Sequence, residues 1–456
     1  MQLKLSDRIM KPDFQGEFTA SILAAAASPD IISFAGGLPN PVSFPIPEME
    51  AATKKVLEQS GVTALQYSST QGWPALRQWI AKRYETMGVS DVSPDDIIVT
   101  NGSQQALAMI GAAMINPGDE VIVEDPTYLV ALQSFHVFDP KVLTVTMNPD
   151  GIDCDELAEV VKNHPDAKFI YVIPNFQNPT GLSYSQEVHD KVVEIIKNSN
   201  VLVLEDNPYR EIRFAGTATD SFGKELGEQC CMLGTFSKIV TPGMRIGWIC
   251  VRNKELKAKL LNYKSTADLH TNIFSQMVLA QYLADNDVDE HISKIKALYK
   301  AKSDFMVECL KKYLPEGCEL TPTEGGMFLW VTLPNGLSAL QLYYKALEKG
   351  VAICPGDPFY EYKRDVSSFR VNYSNSTDEA IEKGVKILAM HIGGQDRRGP
   401  NSEPFLGFMG DADFAIVRAD GNAAEYFTKL CAEKNVPLYT IEKTGDLRKV
   451  MPELLK

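Results

Sequence analysis

Gly234–Gly247 reads Gly-Thr-Phe-Ser-Lys-Ile-Val-Thr-Pro-Gly-Met-Arg-Ile-Gly. The apolar run Cys230–Leu233 just before it has the composition of a buried strand, and the stretch itself is a turn carrying hydroxyls, a Pro-Gly breaker, one lysine and one arginine. A lysine delivered by a buried strand is partly desolvated, which lowers its pKa and leaves a neutral amine for Schiff-base chemistry. Lys238 is therefore the candidate nucleophile. Thr235, Ser237 and Arg245 are short-range donors of the kind that hold a phosphate dianion. An ordinary surface loop also carries a serine, a lysine and an arginine, so the rest of the chain has to decide.

Working outward, Asp96–Thr100 is a short β-branched strand followed at once by Asn101-Gly102-Ser103-Gln104-Gln105, which opens a helix. A strand, a glycine turn and a helix N-terminus with free amides form an anion site, so Gly102, Ser103 and Gln104 are expected to cradle a phosphate. The apolar run at Ile31 ends in Phe34-Ala35-Gly36-Gly37-Leu38-Pro39, where paired glycines mark either a plain turn or a close approach of backbone to ligand, with Gly37 the candidate. Strands at Glu120–Glu124, Lys168–Ile173 and Asn200–Leu204 each empty into a polar turn: Asp125-Pro126-Thr127-Tyr128, Asn175-Phe176-Gln177-Asn178-Pro179 and Glu205-Asp206-Asn207-Pro208-Tyr209. In open α/β sheets, ligands sit at that edge. Far downstream, Arg370 lies in an alternating strand pattern, Ser368–Tyr373, and a guanidinium there pairs naturally with a carboxylate.

Composition sets the outer limits. A chain of 456 residues is too long for one simple core, and 45% apolar with 23% charged residues is the balance of a soluble globular protein. A net charge of −14 argues against nucleic acid, whose binding rests on basic residues. Residues 1–14 lack a basic-then-apolar signal pattern and no apolar run is long enough for a bilayer span, so a cytoplasmic location without membrane contact is expected. Eight cysteines without a Cys-x-x-Cys pair, and six histidines without helical ligand spacing, predict no metal site.

Ser-Lys-x-x-x-Pro-Gly-x-Arg-x-Gly, from Ser237 to Gly247, resembles the lysine motif of fold type I aminotransferases dependent on pyridoxal 5'-phosphate (PLP), and Phe34–Pro39 resembles the glycine loop of their 2-aminoadipate, kynurenine and aromatic branch. The resemblance covers about Ile31 to Ile392. It implies that Lys238 carries PLP and shuttles the proton, that Asp206 holds the pyridine nitrogen protonated, and that Tyr209 and Asn178 bond the phenolic oxygen. Tyr128 would stack on the pyridine, Arg370 would take the substrate's α-carboxylate beside Asn178 and Gly37, and Tyr67 would reach the phosphate of a neighbouring subunit in a homodimer. The activity implied is ping-pong transfer of an amino group from an aromatic, aliphatic or 2-aminoadipate-like amino acid to a 2-oxo acid such as 2-oxoglutarate. The segment Asp13–Thr53 holds no Lys or Arg, which points to a neutral side-chain pocket. A PLP-dependent lyase or decarboxylase would use the same cofactor groups; a ligand-sensing regulatory module would need a DNA-binding domain, and only about thirty residues precede the glycine loop.

The expected architecture is α/β: residues 50–285 a large PLP-binding domain with a seven-stranded, mainly parallel sheet, and residues 286–392 a smaller α+β domain that residues 1–49 join. Residues 393–456 form a short α/β extension of unknown role, with a linker at Gln395–Pro404 and strands at Phe414–Val417 and Val436–Ile441 around a helix at Asn422–Asn435.

Overall fold

The computed structural model describes residues 3–6, 8, 15–16, 18–21, 28–362, 364–393, 415–418 and 438–441. The chain forms two compact units, Met1–Gly393 and Gly394–Lys456. In the second, β15 (Ala415–Arg418) and β16 (Leu438–Ile441) pair in parallel, while the linker and helix expected around them lie outside the described residues.

The first unit is built on a sheet whose strands are β2 (Ile97–Thr100), β3 (Glu120–Asp125), β4 (Lys141–Asn148), β5 (Gly151–Ile152), β6 (Phe169–Val172), β7 (Leu202–Asp206), β8 (Cys230–Thr235) and β9 (Gly247–Val251). Their order is β2-β9-β8-β7-β6-β3-β4-β5. The run β8-β7-β6-β3-β4 is parallel, and β9 is antiparallel to both of its neighbours. Strands β2, β6, β8 and β9 are buried along their whole length, which is why they read as unbroken apolar runs instead of alternating ones. The expected count of seven is corrected to eight. The extra strand, β5, is a two-residue return of β4 across Pro149-Asp150, too short to leave a periodic signal.

Helices Gly102–Met114, Leu129–His136, Cys154–Asn163, Gln186–Lys197 and Lys254–Ala267 connect and flank the strands. Several begin on a side-chain cap, as at Asp153, Ser185 and Asn253, each of which accepts a backbone N–H three residues on. Beyond helices Ile273–Asp285 and Val288–Tyr313, four strands form a second, antiparallel sheet in the order β10 (Glu319–Leu320), β11 (Phe328–Thr332), β14 (Ser368–Asn372), β13 (Cys354–Pro355). The early segment contributes β1 (Ile32–Ser33), which pairs in parallel with β12 (Val351–Ala352). Among the described residues no helix is long and apolar enough to cross a membrane.

Register brings the site together. Gly247, at the start of β9, is paired with Thr100 at the end of β2 on one side and with Thr235 at the end of β8 on the other. A Cβ at Gly247 would stand 2.6 Å from the carbonyl carbon of Gly102 and 2.7 Å from the nitrogen of Ser103, both backbone atoms that cannot step aside. Gly247→Ala is therefore expected to cost about 1–3 kcal/mol of stability through overpacking and to lower PLP affinity with it; unchanged thermal unfolding and unchanged PLP binding would show that the approach is looser than this.

Candidate active site

The turn after β2 enters the helix Gly102–Met114 with Gly102 at φ +72°, a conformation that costs glycine nothing. The absent Cβ matters as well: it would lie 2.7 Å from Nη2 of Arg245, so the guanidinium occupies that space. Arg245 is itself held at φ +54°, a backbone strain of the kind found where a side chain must be aimed. Opposite, the Thr235 hydroxyl donates to Ser237 Oγ at 2.9 Å and accepts the Ser237 N–H at 3.1 Å, which leaves the Ser237 hydroxyl proton for a ligand. Free helix amides, two hydroxyls and a guanidinium thus converge on one spot, the donor set a phosphate requires.

Lys238 follows directly. Its Nζ donates to the carbonyl of Gly37 at 2.8 Å. Burial, then the nearby cations Arg370 and Arg245, push its pKa down to about 8. Gly37 does approach the site with its backbone, and it does so by holding the lysine.

At the end of β7, Asp206 is buried. Its Oδ2 accepts the Tyr171 hydroxyl at 2.9 Å, while Oδ1 has no hydrogen-bond partner among the described residues. Burial pushes its pKa up to about 7, opposed by the Tyr171 bond. Tyr128 is pushed up to about 12 and Tyr209 further still, both by burial first; Tyr209 lies within hydrogen-bonding reach of Asn178. Arg370 projects from β14 between Trp330 of β11 and Cys354 of β13. Its Nη1 donates to Asn178 Oδ1 at 2.6 Å, its Nη2 donates to the carbonyl of Ala35, and its guanidinium lies 4.2 Å from the Phe328 ring centre. Its Nε is buried without a partner, and no carboxylate pairs with it among the described residues.

One cavity of about 300 Å³ is lined by Gly37, Gly102, Ser103, Gln104, Tyr128, Asn178, Asp206, Tyr209, Thr235, Ser237, Lys238, Arg245 and Arg370. Tyr67 is the exception. It is 79% exposed, sits edge-on to His270, and does not line the cavity of its own chain. Two residues escaped sequence reasoning. Phe328 lines the cavity under Arg370 and meets Tyr209 edge-on, and Tyr171 supports Asp206 from within a strand that reads as purely apolar. A tyrosine in an otherwise wholly apolar buried strand was the available signal, since a buried hydroxyl needs a partner.

Residues 35–388 match the family described as Aminotransferase class I and II, and residues 374–455 match a domain of unknown function. The chain is 37% identical over 419 residues to aromatic-amino-acid aminotransferase 1 of Thermococcus litoralis, covering 86% of this chain and 98% of that protein. It is 35% identical over 384 residues to 2-aminoadipate transaminase of Thermus thermophilus, covering 83% and 94%. Among solved structures, Pyrococcus horikoshii kynurenine aminotransferase in complex with PMP superposes with a TM-score of 0.79 at 36% identity, covering 85% of this chain and 96% of that one.

The cavity fits PLP on its own terms. An unpartnered buried carboxylate oxygen suits a pyridinium N–H, the cradle at Gly102 suits a phosphate, and an amine that gives up its proton from about pH 8 suits an aldehyde. With a midpoint near pH 8, apoprotein should condense with an aldehyde probe ever faster up to that pH and then level off, as the protonated fraction of Lys238 is lost. Arg370→Gln removes a neighbouring cation and should move the midpoint upward. A pH–rate profile of apoprotein with pyridoxal, centred instead near the ordinary lysine value in both proteins, would contradict the assignment.

Proposed function

Because the chain belongs to the class I and II aminotransferases, with PLP as cofactor, we propose that its cavity serves neutral, aromatic or aliphatic amino donors. The protein is a transaminase that moves an amino group from an amino acid to a 2-oxo acid. PLP supplies an electron sink for the substrate's α-carbon. In our reading the chain supplies the rest. Lys238 would hold the cofactor through its carbonyl carbon and, with its amine free and deprotonated, would take the substrate's α-proton and return it. Asp206, fixed by Tyr171, keeps the pyridine nitrogen protonated. Tyr209 and the amide nitrogen of Asn178 take the phenolic oxygen, Tyr128 packs on the ring, and Arg245, Thr235, Ser237 and the amides at Gly102–Gln104 hold the phosphate. Arg370 takes the α-carboxylate, in place of the missing counter-ion. Residues 50–285 serve as the cofactor domain, with residues 1–49 and 286–392 forming the small one. A cytoplasmic location goes with this reading, since the seven cysteines described are all free.

One observation carries the choice of substrate. Lys238, Arg245 and Arg370 are the cations among the described lining residues, and each already has a role, while Leu38, Leu129, Val130, Ile173 and Phe328 supply apolar surface. A second substrate carboxylate would find no partner there, and burying one unpaired is costly. The relatives divide on this point, one named for aromatic amino acids and another for 2-aminoadipate; this lining favours the first. Steady-state rates with an aromatic, an aliphatic and a dicarboxylic donor should rank the dicarboxylic one last. Arg370→Lys keeps the charge but loses the fork, worth roughly 1.5–3 kcal/mol, so kcat/KM should fall about ten- to a hundredfold for every donor alike. A strong preference for aminoadipate, or a mutant defect confined to one donor, would overturn the reading.

We further propose a homodimer with shared sites. Val42, Ile46, Val62, Leu65 and Tyr67, exposed by 67–90%, are large apolar side chains along one stretch of the chain that a protein interface would cover, and Tyr67 does not line the cavity of its own chain. Mixed subunits of Tyr67→Ala and Lys238→Ala should recover about a quarter of wild-type activity, one intact site in each hybrid of a twofold dimer. No recovery after verified subunit exchange would confine Tyr67 to its own chain.

A further inference from the structure

Lys264 is a lysine with no exposed side-chain surface, one turn from the end of helix Lys254–Ala267 and outside the cavity. A buried ion pair contributes little net stability, because desolvation offsets the attraction, so its presence calls for another account. The contacts supply one. Lys264 Nζ donates to both carboxylate oxygens of Asp268, at 2.9 and 2.8 Å, to Gln105 Oε1 at 3.1 Å and to the Thr271 hydroxyl at 3.0 Å. Asp268 Oδ2 also accepts from Asn101 Nδ2 at 2.8 Å and Gln105 Nε2 at 2.7 Å, while Gln105 Oε1 accepts the Asn101 backbone N–H at 2.8 Å. Thr271 in turn donates to the carbonyl of Val99 at 3.2 Å.

The brace therefore grips the chain at Val99, Asn101 and Gln105, on both sides of Gly102, Ser103 and Gln104. With Gly247 packed beneath Gly102 and Ser103, the turn is fixed from two directions. We propose that Lys264 and Asp268 are positioning residues for the cofactor phosphate: their ion pair presets the Asn101–Gln105 turn so that its amides already point at the phosphate before it arrives. Asn101, Gln105, Lys264, Asp268 and Thr271 do not line the cavity that holds Lys238, Asp206 and Arg370. The brace's contribution belongs to the phosphate alone, as outer supports act elsewhere by orienting the groups that bind. The inference rests on the reading of that turn as the phosphate site.

The test compares PLP with pyridoxal, which lacks the phosphate, on full-length apoprotein by absorbance titration. Asp268→Asn should weaken PLP about ten- to a hundredfold and leave pyridoxal within about twofold. Asp268→Asn strands a buried cation and can fail to fold, so two gentler variants accompany it. Lys264→Met with Asp268→Asn removes both charges together, and Gln105→Met leaves the ion pair whole while cutting its link to the turn. Both should weaken PLP selectively, the second by less. Equal loss of PLP and pyridoxal, or wild-type PLP affinity in a variant whose apoprotein unfolds at the wild-type temperature, would overturn the proposal. Arg245→Ala run alongside separates the premises. If it too spares the preference for PLP over pyridoxal, the phosphate reading of the site has failed; if it abolishes that preference while the brace variants keep it, only the positioning role has.

Discussion

The close approach of Gly247 to the backbone of Gly102 and Ser103 is the constraint on which the site depends. Parallel strands alone would leave the Gly102 turn after β2 and the Lys238 turn after β8 on strands separated by a gap. The antiparallel β9 fills that gap and is paired to the last residue of each, so one glycine sets the distance between two turns that lie over 130 residues apart in sequence. Arg245 then enters from β9's own leading turn, with its guanidinium resting where Gly102 has no side chain. A larger residue at either glycine would separate the groups that have to meet.

What this frame holds is a set of groups left incomplete. Asp206 has one oxygen unbonded, Arg370 has no carboxylate, and Lys238 is surrounded by two cations. The electrostatic consequences run in opposite directions with pH. Asp206, with its folded pKa raised to about 7, destabilises the apoprotein increasingly as pH rises from the ordinary carboxylate range through 7 and fully above it. Lys238, lowered to about 8, destabilises it fully below that value and less as pH climbs toward 10.5. Around neutrality the empty site carries both costs. A bound group that offers a proton to Asp206 and consumes the amine of Lys238 relieves both, so cofactor affinity and site strain are one quantity seen from two sides.

Sequence reasoning reached the parts of this site whose signal is local. Ser237–Gly247, the Gly102 turn and the strand-end position of Asp206 are each written within about ten consecutive residues, and the structure brings them to one cavity. Arg370 also lay within reach, because a lone charge in a strand pattern stands out. Contacts set by sheet register did not show. Phe328 lies under Arg370 only because β11 and β14 pair in one register, and Gly37 meets Lys238 across 201 residues. Tyr171 was hidden by the strand around it, and Lys264 looks like any lysine near a helix end until its neighbours are known. Tyr67 belongs to a different class, since a residue facing away from its own site cannot be assigned from one chain.

Selectivity follows from the same division between charged and apolar lining. A ping-pong transaminase must admit an amino donor and a 2-oxo acid in turn, so on the proposed reading what the site binds firmly is the part both share, which would be the carboxylate at Arg370 and the carbon at Lys238. On the proposed reading the variable side chain would meet the apolar lining at Leu38, Val130 and Phe328. Each methylene buried there is worth about 0.8 kcal/mol, less than a factor of five, whereas an unpaired charge costs several times as much. Such a lining separates neutral side chains from one another weakly and charged ones strongly. An acidic co-substrate such as 2-oxoglutarate can then be used only if its second carboxylate stays in water at the cavity mouth, which places the sharper selection on the acceptor's charge and length and the looser one on the donor's shape.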